Sequence, residues 1–167
     1  MHYLTKKINT NDKKTKYNKS RSLLKILLKN YYNINYKDIE IITNQYGKPY
    51  IKDMKIYYNI SYSYDYVICI ISNKEIGIDI EKIRKTNINT KKIFATKIEQ
   101  NYIGNYEKLF KIFTLKEAYF KMLGTDLKKM KNIEFNILNK NIICSDNNII
   151  TKQIKFHNYI ISICEKK

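Results

Sequence analysis

"IGIDIEKIRK", Ile76 to Lys85, sets Asp79 and Glu81 two residues apart inside an apolar run, in a chain with only 15 acidic residues among 167. At the two-residue period of a β-strand, Ile78 and Ile80 fill a buried face. Asp79 and Glu81 then share the opposite one, with backbones roughly 6.6 Å apart. Two carboxylates about 4 Å apart repel by roughly 4 kcal/mol at an effective dielectric near 20. Close approach therefore calls for a cation or a raised pKa. Oxygen-only donors suit a hard ion, and Mg²⁺ fits because it uses one or two carboxylates and leaves its other positions to water and phosphate. The alternative is an exposed pair neutralised by Lys82, Arg84 or Lys85.

Outward from this strand, Tyr66 to Ile71 reads as a buried strand, with a turn at Ser72 to Lys74 between the two. Upstream, "DIEIITNQYGKPYI" reads as a strand, a turn at Tyr46 to Pro49 and a short extension. "SRSLLKILLKNYYN" has Leu23, Leu24, Leu27, Leu28 and Tyr31 at helical spacing, with Ser20 or Ser22 as candidate caps. Downstream, residues 93–124 are mostly helical with a break near Gly104. The tail returns to strands around Ile133 to Leu138, Asn141 to Cys144, Ile149 to Phe156 and Tyr159 to Cys164. Helix, strands, helices, strands is the order of an α+β fold. "YVICII" and "YIISIC" look alike and would end two related halves, residues 1–75 and 76–167. No low-complexity linker separates them, so they share an interface within one globular unit.

At this length folding removes roughly 70% of the chain's surface from water, so no staples are needed. Cys69, Cys144 and Cys164 sit in Ile-rich runs without metal or disulfide spacing and read as core thiols in a reducing compartment. The start "MHYLTKKINT" has no apolar h-region, and no apolar run approaches the ~20 residues of a membrane span. The expectation is a soluble cytoplasmic protein. The formal charge of +17 would suit a polyanion. The lysines are scattered, however, apart from Lys13, Lys14, Lys16 and Lys19, and Lys, Asn, Ile and Tyr all have A/T-rich codons. Nucleic-acid binding is therefore the lesser reading. Three of the four glycines and the one proline fall at a turn (Gly47, Pro49), a strand entry (Gly77) and a helix end (Gly124).

In "EKLFKIFTLKEAYFKMLG", Leu109, Phe110, Ile112, Phe113, Tyr119, Phe120 and Leu123 occupy half of the helical wheel, with Lys116 and Glu117 inside it or at its edge. Glu117 and Lys121 form an i, i+4 pair, which on a surface would contribute only about 0.3–0.5 kcal/mol. Lys116 among aromatics is costly unless it meets a partner. A third carboxylate and two lysines around a divalent ion would make a diphosphate site.

These segments resemble the 4'-phosphopantetheinyl transferases, in the larger monomeric class that activates peptide and polyketide synthetases. "YGKPYI" resembles the family's Gly-Lys-Pro motif and "YNISYS" its Asn-x-Ser-His-Ser motif. "IGIDIE" resembles Gly-x-Asp-x-Glu, and "FTLKEAYFKMLG" resembles Trp-x-x-Lys-Glu-x-x-x-Lys-x-x-Gly. Each is weak alone; the four in this order carry the resemblance. It implies two similar α/β halves packed as a pseudo-dimer, with coenzyme A in the cleft between them. Asp79, Glu81 and Glu117 would hold Mg²⁺, and Glu117 would take the proton from a carrier-protein serine. Lys116 and Lys121 match the motif lysines, with Lys121 at the phosphates. Lys48 would lie along the adenosine 3'-phosphate and base with Pro49 beside it, Ser61 near the phosphates and Arg21 at the 3'-phosphate. The implied reaction moves 4'-phosphopantetheine from coenzyme A to a serine of an apo acyl or peptidyl carrier protein and releases adenosine 3',5'-bisphosphate.

Two residues depart from the pattern. Tyr62 stands at the family's phosphate-binding histidine and offers one hydrogen bond without a positive charge. Phe113 stands at the motif tryptophan and keeps an aromatic wall. Carrier proteins are acidic, so a basic enzyme surface would speed encounter. The alternatives are a degenerate member that binds coenzyme A or an acidic protein without catalysis, and a nucleic-acid-binding module.

Overall fold

The computed structural model describes residues 1–8, 12–139 and 141–167. Among the described residues, ten strands and four α-helices follow in the order β1 (His2–Lys7), α1 (Lys13–Tyr32), β2 (Ile41–Thr43), β3 (Pro49–Ile51), β4 (Tyr57–Ser63), β5 (Tyr66–Ser72) and β6 (Ile76–Lys82), then α2 (Lys91–Phe94), α3 (Lys97–Tyr102), α4 (Tyr106–Leu123), β7 (Phe135–Leu138), β8 (Asn141–Cys144), β9 (Ile149–Phe156) and β10 (Tyr159–Lys166). Two antiparallel three-stranded sheets, β1-β5-β4 and β6-β10-β9, form the body, and the hairpins β2-β3 and β7-β8 flank them. The fold is α+β, built from two similar sheet-plus-helix halves. Among the described residues no helix is long and apolar enough to cross a membrane.

The layers follow from strand alternation. Leu23, Leu24, Leu27 and Leu28 of α1 pack on Val67, Cys69 and Ile71 of β5. The other face of β5, Ile68 and Ile70, meets Ile78 and Ile80 of β6 and Ile161 and Ile163 of β10 between the sheets. The far face of the second sheet is covered by α4, with Leu115, Ala118 and Met122 in one cluster with Cys164. All three cysteines are free and buried.

The halves repeat each other. The β4-β5 and β9-β10 hairpins turn through two residues each, and each turn opens in the left-handed region, at Tyr64 (φ 47) and His157 (φ 51). The similar runs "YVICII" and "YIISIC" are thus the central strands of the two sheets. Carrying the registers across, Leu4 of β1 takes the place of Asp79 and Lys6 that of Glu81. Counting back from the left-handed caps Asn33 and Gly124 places Ile26 of α1 opposite Glu117. Only the second half carries the acids, so the duplication leaves one acidic site.

Three elements differ from the sequence expectation. Helix α1 starts at Lys13, not at Ser20 or Ser22, because the Asp12 carboxylate accepts the N–H groups of Lys14 and Thr15. Ser20 and Ser22 lie inside the helix, their hydroxyls donating to the carbonyls of Tyr17 and Lys19, both at 2.7 Å. The lysines between Asp12 and Ser20 are good helix formers, so the polar stretch extends the helix. Strands β1 and β4 were not anticipated as elements. The polar, Lys-rich start hid β1, and β4 carries Tyr58, Ile60 and Tyr62 on one face and Tyr57, Asn59, Ser61 and Ser63 on the other, so neither face is cleanly apolar.

Candidate active site

Strand β6 turns Gly77, Asp79 and Glu81 toward α4. A Cβ on Gly77 would stand 2.0 Å from the Ala118 carbonyl oxygen and 2.4 Å from the Met122 nitrogen, so only glycine lets the helix lie this close. That approach brings Glu117 and Lys121 over the acids. The Lys121 ammonium lies 2.6 Å from Asp79 Oδ1, 3.3 Å from Ser61 Oγ and 3.7 Å from Glu117 Oε2. Ser61, on β4, donates to the same Asp79 oxygen at 2.7 Å. Asp79 is 3% exposed, and its other oxygen, Oδ2, is buried with no hydrogen-bond partner. Glu81 is half-buried and accepts from Arg84 at 3.0 Å and Ser63 at 3.1 Å.

The electrostatics follow from this crowding. Burial and then the Asp79 charge raise the Glu81 carboxyl above the ordinary carboxylate range, against Arg84 and Ser63. Glu117 is also raised, by burial first; Lys121 opposes this while Asp79 and Glu81 reinforce it. Burial works against the Lys121 charge, but Asp79 and Glu117 outweigh it and lift the ammonium above the usual lysine range. Both β6 acids thus have cations within the chain, Arg84 for Glu81 and Lys121 for Asp79. Lys82 instead pairs with Asp65 at 3.7 Å.

The donor set fits a hard divalent ion. It offers carboxylate oxygens only, and Asp79 Oδ2 is a buried acceptor with an unused valence. Among the described residues no three acidic, His or Cys side chains form a ready metal cage, and the Lys121 ammonium lies between Asp79 and Glu117. Asp79, Glu81 and Glu117 would hold the ion once that ammonium moves aside.

Two further groups flank the acids. The Asn44 amide donates to the Gly124 carbonyl at 2.7 Å, and its side-chain oxygen accepts from the Tyr46 and Lys48 N–H groups, which fixes the Gly47 turn against the end of α4. Lys48 donates its ammonium to the Met122 carbonyl, and burial pushes its pKa down to about 8. Lys48, Pro49, Asn59, Phe120 and Lys121 line a cavity of about 200 Å³. On the α1 face of β4, Arg21 donates to the Tyr58 hydroxyl at 3.0 Å and lies over the Tyr17 ring at 4.8 Å, leaving its buried Nε without a partner. Tyr62 shares this face with Arg21 and Ser20, and burial raises its phenol above the ordinary range. Ser61 and Tyr62 therefore face opposite sides of one strand.

Lys116 corrects the sequence expectation of a ligand contact. It is fully buried and spends its ammonium on Glu99 at 2.7 Å, the Met130 carbonyl at 2.8 Å and the Ile133 carbonyl at 2.7 Å. Glu99 in turn accepts the N–H groups of Thr96 at 2.7 Å and Phe135 at 2.8 Å. All three ammonium hydrogens are in use, so Lys116 ties α4 to α3 and to the segment before β7, and stands outside the acidic cluster. Beyond Glu117 along α4, Phe113 and Phe110 form one wall of an apolar cleft of about 410 Å³ that also includes Arg84, Phe94, Leu109 and Met130. Arg84, named from the sequence as one candidate partner of the acid pair, does pair with Glu81. Sequence reasoning missed Asn44, Ser63 and Glu99. Of these only Ser63 carried a signal, the alternation Asn-x-Ser-x-Ser in an otherwise aromatic and aliphatic strand.

Comparison with known proteins places these residues in a family. A model described as the 4'-phosphopantetheinyl transferase superfamily matches residues 75–164, more than half of the chain, from β6 through β10. The chain is 36% identical over 115 residues to the 4'-phosphopantetheinyl transferase gsp of Aneurinibacillus migulanus, covering 62% of this chain and 48% of that protein. It is 31% identical over 112 residues to Sfp of Bacillus subtilis (strain 168), covering 63% and 50%. Against HetI of Nostoc sp. it is 27% identical over 127 residues, covering 68% and 54%. The chain spans about half the length of the curated relatives it matches. With the acids of β6 and the Lys-Glu-x-x-x-Lys helix inside the matched segment, the chain belongs to the 4'-phosphopantetheinyl transferase superfamily.

Proposed function

We propose that this protein transfers the 4'-phosphopantetheine group of coenzyme A to a serine of an apo acyl or peptidyl carrier protein. The observation that carries the reading is the meeting of Asp79, Glu117 and Lys121, with Glu81 alongside, at a point where a buried Asp79 oxygen lacks a partner. Asp79, Glu81 and Glu117 would hold Mg²⁺, which when bound would supply positive charge to the diphosphate oxygens. Lys121 adds a second positive charge as charge develops on the phosphoryl group. Glu117, whose carboxyl is raised by burial, takes the proton of the carrier serine. The serine oxygen bonds to the β-phosphorus, the bond to the bridging oxygen breaks, and adenosine 3',5'-bisphosphate leaves with the electron pair.

The remaining residues bind and orient. Arg21 and Tyr62 take the 3'-phosphate, and Lys48 and Pro49 border the adenosine. Lys121, Glu117 and Phe113 succeed one another at four-residue steps, about 6 Å each along α4. The face thus runs from charge to the apolar cleft, which suits a donor with an anionic centre and an uncharged arm. Lys116 keeps a structural duty.

Incubation with coenzyme A, Mg²⁺ and an apo carrier protein tests the proposal by intact mass. The expected result is a carrier heavier by one phosphopantetheine. The second reading, a binder without catalysis, is favoured by Tyr62 at the histidine position, and it would give coenzyme A binding with no mass change. Retention of nucleic acid at physiological salt without either would favour the nucleic-acid reading.

A further inference from the structure

No step of the proposed transfer uses Asn59 or Ser63, yet both are buried, as is Ser61 between them. The three lie at strand spacing on the face of β4 opposite Tyr58, Ile60 and Tyr62. Each accepts a backbone N–H from β6. Ile78 donates to Asn59 Oδ1 at 3.0 Å, Ile80 to Ser61 Oγ at 3.3 Å and Lys82 to Ser63 Oγ at 3.0 Å. Strand β6 is the edge of its sheet, paired with β10 alone, so these alternate N–H groups face away from every strand of that sheet. Side chains of β4 stand in for the missing neighbour. Both serine hydroxyls also give their own hydrogen to an acid, Ser61 to Asp79 Oδ1 at 2.7 Å and Ser63 to Glu81 Oε2 at 3.1 Å.

We infer that Asn59, Ser61 and Ser63 are positioning residues, a side-chain ladder that fixes the register of β6 against the first half and aims Asp79 and Glu81 at their shared site. The physical need is specific. A one-residue slip of a strand turns every side chain to the opposite face, and an edge strand has backbone pairing on one side only to prevent it. Each serine also couples two neighbouring residues of β6, holding the backbone of one and the carboxylate of the one before it. The repeat of two along both strands makes Ser63 do for Glu81 what Ser61 does for Asp79. Partners of this kind commonly govern metal affinity without touching the metal.

The part of the inference that concerns ligand geometry rests on the reading that these acids hold a divalent ion, and two measurements separate it from that reading. Amide hydrogen exchange on the wild-type chain needs no metal. Protection of the Ile78, Ile80 and Lys82 amides comparable to that within the sheets is expected, and rapid exchange of the three would overturn the ladder. In Ser63→Ala the Lys82 amide should lose protection while Ile78 keeps it. Calorimetric titration with Mn²⁺ then reads the acids. Ser63→Ala should bind the ion about 10–100-fold more weakly, Ser63→Thr should restore it, and coenzyme A affinity measured without metal should stay level. Unchanged Mn²⁺ affinity with weaker coenzyme A binding would make Ser63 a substrate contact and refute a positioning role. A wild-type chain that binds no Mn²⁺ would refute the metal reading, with the exchange pattern still deciding the ladder. If Ser63→Ala does not fold, the wild-type exchange pattern and Ser63→Thr decide.

Discussion

The Lys121 ammonium stands 2.6 Å from Asp79 Oδ1 and 3.7 Å from Glu117 Oε2, so a single cation joins β6 to α4 through two of the three acids. That ammonium stabilises carboxylates that would otherwise repel each other.

On the proposed metal site, lysine and metal would compete for the same oxygens. Lys121→Met should bind Mn²⁺ more tightly than wild type, because the competing charge is gone. Transfer should nevertheless fall by about 100-fold or more, the usual cost of losing a charge aimed at the transition state. Calorimetry and a rate assay check the two halves of the prediction. Parallel losses of both would show that Lys121 merely holds the site together.

Gly77 sets the distance between β6 and α4. Gly77→Ala would force a Cβ into backbone atoms of Ala118 and Met122, which no side-chain rotation can relieve. The expected cost is about 3 kcal/mol or more, at the upper end for overpacking. Urea denaturation reads it, and a variant as stable as wild type would contradict the packing described.

Lys116 and Glu99 are both fully buried and paired at 2.7 Å. Either Lys116→Met or Glu99→Gln alone should cost about 3–5 kcal/mol, because each strands a buried charge. The double variant should lose less than the sum of the two. Additive losses in the denaturation midpoints would mean that the two charges do not depend on each other.

Lys48 gives the stability a dependence on pH. Burial holds its folded pKa at about 8, below the ordinary 10.5. Between these values the unfolded chain binds a proton that the folded chain does not, so the Lys48 contribution grows as pH rises. Relative to Lys48→Met, wild type should gain stability from about pH 8 to about pH 10, and the difference should be level below that window. Parallel stability curves would show that the ammonium is not confined.

Much of this arrangement was legible locally. The alternation in Ile76 to Glu81 located the strand and the common face of its acids, and Gly47, Pro49 and Gly124 marked the turn and helix end that now touch through Asn44. The i, i+4 spacing of Glu117 and Lys121 also held, but Lys121 reaches Asp79 more closely than Glu117, a choice made by the packing of α4 on β6. Lys116 was read as a phosphate contact because a buried charge needs a partner. Its partner, Glu99, comes from a separate helix, and no spacing along the chain announces it. The start of α1 was missed because an exposed lysine-rich turn carries no apolar period. Asp12, the residue that begins it, caps the helix through the backbone N–H groups of Lys14 and Thr15, a contact with no apolar signature.

Formation of holo-carrier protein, followed by intact mass in Asp79→Ala and Glu117→Ala, decides whether acids from a strand and a helix act together in one transfer. Wild type should add one phosphopantetheine per carrier, and each variant, with an unchanged circular dichroism spectrum, should add none. Transfer at a near-wild-type rate by either folded variant would contradict the account.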